Sequence, residues 1–150
     1  MFDTLLEKVN EINIQRNDLN KKLFNTIEQE IVSVLDKYPE FIAIRWTQYV
    51  PSYNDVEACI FTLHEPKYVS STELSDEEAK AENYTVEIAD RVYRIVDVES
   101  KSTWDSKLRL LNISNVLYNI EDLLEEQFGE NAEVIITRDE IIVNGYDCGY

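Results

Sequence analysis

Thirty carboxylates, one histidine and two cysteines are the side chains of this sequence best equipped to hold a metal, move a proton or attack a carbonyl. His64 has no second histidine beside it, so neither a histidine-based metal site nor the two-histidine helix motif of zinc hydrolases can form. A thiol–imidazole pair would need Cys59 or Cys148. Positions five apart on one strand point to opposite faces, which argues against Cys59 with His64, and Cys148 would have to meet it through the fold. A partly buried or edge histidine is the ordinary role. Among the carboxylates, Asp90, Asp97 and Glu99 with Lys101 imitate the acid-rich core of a metal-dependent nuclease, where carboxylates hold magnesium and a lysine steadies charge. Yet an acid two residues before a lysine recurs at Glu65-Lys67, Glu78-Lys80 and Asp105-Lys107, as chance would place it in so acidic a chain. Asp76-Glu77-Glu78 lacks the alternating oxygens and turn glycine of a calcium loop. Only Gly129, Gly145 and Gly149 are present, all late, so no glycine-rich phosphate cradle exists. The expectation is a non-enzymatic protein with no catalytic residue, metal ligand or cofactor.

Charge narrows the partners. A formal net charge of −16 repels phosphate backbones and anionic lipid, which excludes direct binding to nucleic acid or a membrane surface and points to a protein partner with a basic surface. Residues 70–100 hold nine acids against three bases, whereas residues 1–38 hold seven against five. No apolar run of membrane-spanning length occurs, and the start, Met1-Phe2-Asp3-Thr4, lacks the design of a secretory signal. Two distant cysteines then read as reduced thiols, and the expected location is the cytoplasm.

Several elements must position these residues. Leu5, Val9, Ile12, Leu19, Leu23, Ile27, Ile31 and Leu35 recur at helical spacing behind a Thr4–Glu7 capping box, predicting one long helix over 4–37 that ends at Tyr38-Pro39. Its stripe would pack on a sheet or on a second copy, as an oligomerisation arm. "FIAIRWTQY" and "VEACIFTLHE" alternate around Pro51-Ser52-Tyr53-Asn54-Asp55 as a hairpin. Residues 66–83 read as an acidic surface loop with a helical turn at 75–81 capped by Ser75. "YTVEI" and "VYRIVDV" form a second hairpin turning at Ala89-Asp90-Arg91. Trp104, Leu108, Leu111, Val116, Ile120, Leu123, Leu124 and Phe128 trace a second helix stopped by Gly129, and "EVIITR" with "EIIVNGY" closes the chain as a tight hairpin. The order predicts a single α+β domain over 1–150 with a mainly antiparallel sheet.

The run "WTQYVPSYNDVEACIF", residues 46–61, concentrates ring surface beside a turn. Alternation sends Trp46 and Phe61 to the core. Tyr49, Tyr53, Asn54 and Asp55 fall at the turn, where they act either as a contact site or as a brace with no partner. With Asp76, Glu77, Glu78 and Glu82 they are the candidate protein-binding residues.

The stretch "RWTQYVPSYNDVEACIFTLHEP", together with "VIITRDEIIVNGYDCGY", resembles small acidic proteins carried by large tailed bacteriophages, with Val56 in place of the glycine expected after Asn-Asp. The resemblance implies a setting in the host bacterial cytoplasm and an accessory or inhibitory role toward a host protein that handles nucleic acid or serves defence. Two alternatives stand beside it: a self-assembling structural component joined through the N-terminal helix, and the nuclease-like enzyme above.

Overall fold

A computed structural model describes residues 2–50, 61–81, 84–96 and 104–146, with side chains from residue 4 onward. The long helix forms as its periodicity predicts: α1 runs Phe2–Lys37 without a break. The chain divides into two units, Met1–Glu30 and Ile31–Tyr150. All strands and the remaining helices lie in the second unit, so the fold is α+β with an antiparallel sheet.

The sheet has seven strands: β1 (Phe41–Tyr49), β2 (Thr62–Leu63), β3 (Lys67–Glu73), β4 (Thr85–Ile88), β5 (Arg91–Ile95), β6 (Ala132–Thr137) and β7 (Ile141–Gly145), in the order β4-β5-β3-β1-β6-β7 with β2 beside β1. Every pairing is antiparallel. β1 is the spine, holding β2 and β3 on one side and β6 on the other. Both its faces are covered. Ile44, Trp46 and Gln48 are buried on one face, opposite Ile136, Val134 and Ala132; Ala43 is buried on the other with Val69, Val86 and Ile135. The one-face core expected for this strand is thus a two-face core. A register shift between Phe41 and Ala43 lets Phe41 stack on Tyr68, with ring centroids 4.2 Å apart.

Within the surface loop expected over 66–83, residues 67–73 form a strand instead. Lys67–Glu73 is an interior strand, with Tyr68 and Val69 fully buried. Two large apolar residues were enough, because "KYVSST" is rich in the β-branched and aromatic residues that suit a pleated surface. The capped turn after it is as predicted. Ser75 Oγ accepts from Glu78 N (3.2 Å) and Glu78 Oε1 accepts from Ser75 N (3.3 Å), opening α2 (Asp76–Ala81).

The second long helix splits at Ile120 into α3 (Trp104–Asn119) and α4 (Glu121–Phe128). Its buried face is Ser106, Leu110, Ile113, Ser114 and Leu117, and most of the bulky stripe expected in the core lies outside, Trp104 being 73% exposed. Two apolar rows share this helix, and the one with serines faces inward because the small side chain lets the Tyr68 hydroxyl reach the Ser106 carbonyl (2.7 Å). Burial holds that phenol far above its usual range of ionisation. Asp105, in the first turn of α3, accepts from Tyr38, from Lys37 (3.1 Å) and from Arg109 (2.9 Å), and these bonds, the Tyr38 hydroxyl first, hold its carboxyl well below the usual carboxylate range. Gly129 ends α4 with φ 99 and ψ 169, an extended conformation at positive φ that only glycine adopts freely, not the left-handed helical one expected.

The β4–β5 hairpin turns on Ala89 (φ 51) and Asp90 (φ 65), both at positive φ as a two-residue type I′ turn requires. Neither is the residue that turn prefers. Ala89→Asn with Asp90→Gly is therefore expected to stabilise the fold by about 1 kcal/mol, read as a higher denaturation midpoint with an unchanged slope; no gain would mean that the turn is unstrained.

Candidate functional site

The stretch Trp46-Thr47-Gln48-Tyr49 resolves into two sets of contacts, one on each face of β1. Inward, the Gln48 side chain is fully buried and fully bonded. Its Oε1 accepts from the Trp46 indole N–H (3.1 Å), and its Nε2 donates to the carbonyls of Leu124 (2.9 Å) and Gly129 (2.8 Å). Those carbonyls lie near the C-terminal end of α4 and just beyond it. Trp46 also meets Phe128 edge to face, with centroids 6.1 Å apart. On the other face, the buried Thr47 hydroxyl lies 2.6 Å from His64 Nδ1, and the His64 backbone N–H donates to Thr47 O (2.9 Å). Half-buried Tyr49 packs against the His64 ring at 5.0 Å and Tyr146 at 6.1 Å.

Beside it lies an open groove of about 500 Å³, lined by Arg45, Thr47, His64, Lys67, Tyr84 and Tyr146 among others. Its cations are unusual in so acidic a chain. Arg45 is held by Glu133 (2.7 Å), whose second oxygen takes Asn144 (3.0 Å), and the Lys67 ammonium sits over the Tyr84 ring at 5.6 Å. Partial burial, then the nearby charges of Arg45 and Lys67, push the His64 pKa below its usual value. The imidazole is therefore neutral at pH 7, suited to orienting the Thr47 hydroxyl.

Of the candidate protein-binding residues, Tyr49, Asp76, Glu77 and Glu78 are described, and Tyr49 does not converge with the three acids. Tyr49 ends β1, while Asp76, Glu77 and Glu78 lie on α2, exposed, beyond the far end of β3. β3 runs antiparallel to β1 with Phe41 opposite Ser70, so the two groups are separated by roughly 25 Å along the strands. Tyr53, Asn54, Asp55 and Glu82 lie outside the described residues, as do Cys59, Asp97, Glu99, Lys101 and Cys148. Asp90 is exposed at the hairpin turn. Among the described residues no group of three histidine, cysteine, aspartate or glutamate side chains stands close enough to hold a metal.

Another acidic surface lies on α4. Residues 119–137 hold six acids and no base, and α4 carries Glu121, Asp122, Glu125 and Glu126 within eight residues. Its signal is the run "EDLLEEQFGENAE", in which the leucines and phenylalanine that trace the helix alternate with carboxylates. No helix among the described residues is long and apolar enough to cross a membrane. Against known proteins, the chain matches no family model, no curated protein and no solved structure.

Two outcomes test this site. Gln48→Met, which keeps the volume and loses the amide, is expected to cost about 2–4 kcal/mol in chemical denaturation, since it removes three hydrogen bonds and leaves the Trp46 indole N–H without its acceptor; a loss under about 1 kcal/mol would show the network to be dispensable. A proton-NMR titration of His64 is expected to give a midpoint below the ordinary value, raised toward it by Lys67→Met. Because the folded state holds the imidazole neutral, its contribution to stability is complete above the ordinary histidine pKa and is lost as pH falls through the folded value. A midpoint at or above the ordinary value would contradict the electrostatics described.

Proposed function

We propose that this chain is a non-enzymatic accessory protein whose outward-facing carboxylates engage a basic surface on a protein partner. The observation that carries this reading is the run of six acids without a base over residues 119–137, on and around α4, with Asp122, Glu126 and Glu130 exposed. Asp76, Glu77 and Glu78 on α2 supply a second acidic surface. Carboxylates facing solvent at this density steer a cationic partner by long-range attraction, speeding encounter and excluding anionic competitors. The resemblance to small acidic phage proteins supports a setting in the bacterial cytoplasm and a host partner that handles nucleic acid or serves defence. In this reading the Trp46–Tyr49 stretch holds the scaffold, and the binding surface is electrostatic.

The test is affinity capture from bacterial lysate at low salt, with elution by about 0.5 M salt, where exposed charges are screened within a few ångströms. The expected result is a basic protein released by salt. Its affinity should fall about tenfold on Glu121→Gln with Asp122→Asn and Glu130→Gln, substitutions that remove charge without reversing it at a helix start. An empty capture, or a partner indifferent to salt and to these neutralisations, would overturn the reading.

A further inference from the structure

Helices draw most of their stability from packing an apolar face, yet every residue of α1 from Thr4 to Leu19 is exposed. Leu5, Ile12 and Leu19 are each more than three-fifths exposed. Their order is not that of a solvated arm. Leu5, Val9, Ile12, Arg16, Leu19 and Leu23 follow one another at alternating steps of four and three, the seven-residue repeat of a helix that pairs with another helix. The repeat stops at Leu23, before the second unit begins at Ile31. Its next three positions, Thr26, Glu30 and Ser33, are exposed, whereas the buried residues there, Ile27, Ile31, Val34 and Leu35, are offset from it. This face is therefore not a mere continuation of the face that joins the domain core.

We infer that copies of this chain associate through the 5–23 face of α1, each covering the apolar row of another. Charge identifies the occupant. Glu7, Glu11, Asp18 and Glu28 fall on the outer side of the repeat, so the seam and the positions flanking it from Leu5 to Leu23 carry no carboxylate. Residues 1–30 hold six acids and four bases, whereas residues 31–150 hold twenty-four and ten. Strongly anionic copies repel one another over most of their surface, and this is where they can meet. The charged residue within the row, Arg16, costs stability and fixes register, as a lone polar core residue does in paired helices.

Light scattering coupled to size separation, on the full chain at micromolar concentration, tests this. The expected mass is a whole multiple of 17.6 kDa, kept by Ile14→Glu on the outer side and reduced to 17.6 kDa by Ile12→Glu with Leu19→Glu. An unchanged thermal midpoint of the sheet-bearing unit would confirm that these exposed substitutions leave the fold intact. Raising salt should strengthen this association by screening repulsion between copies, whereas it weakens the partner binding proposed above, so the two ideas fail separately. A 17.6 kDa wild-type chain, or a multiple that survives the seam substitutions or is equally lost with Ile14→Glu, would overturn it.

Discussion

A single buried amide organises the sheet-bearing unit. Gln48 sits mid-core with its three hydrogen bonds made to an indole and two carbonyls, and these tie the spine strand to the end of α4. A buried amide is stabilising only while its partners are in place, because each unpaired group carries a desolvation cost of about 1–3 kcal/mol. The network therefore sets where α4 stops, how Gly129 leads into β6, and where Trp46 rests. Gly129, whose carbonyl it reaches, takes a positive φ there. On the inner face of β1 Trp46 belongs to this clamp, and on the outer face Tyr49 stacks with His64 and Tyr146.

What the sequence revealed of this fold depended on how local each signal was. The capped turn at Ser75, the hairpin at Ala89-Asp90 and the long first helix rest on neighbours in sequence, and each took the expected form. The strand Lys67–Glu73 went unrecognised because its burial comes from Tyr68 and Val69 lying between β1 and β5, a tertiary fact invisible in a window dominated by charge. The face of α3 was misjudged for a related reason. Size favoured Trp104, Leu108 and Leu111, but close approach to the sheet favoured Ser106 and Ser114. The role of Gln48 was likewise unreadable, since its partners lie 76 and 81 residues away.

The candidate binding surface was legible as a charge excess but not as a location. Tyr49 and the acids of α2 stand at opposite ends of the sheet, and α4 carries a further group of acids. The His64 groove shows the same limit, its cations being gathered from β1 and β3. A division of labour results: an apolar-striped helix with nearly balanced charge, a sheet clamped by one amide, and a periphery of carboxylates.

The claim on which this picture rests is that Gln48 is a structural clamp and no part of an exposed contact face. Hydrogen exchange of its side-chain amide protons, followed by NMR in the native protein, tests it most directly. The account expects both protons to exchange only through global unfolding, at the rate of the slowest core amides of β1. Exchange as fast as that of a solvent-exposed glutamine would contradict it.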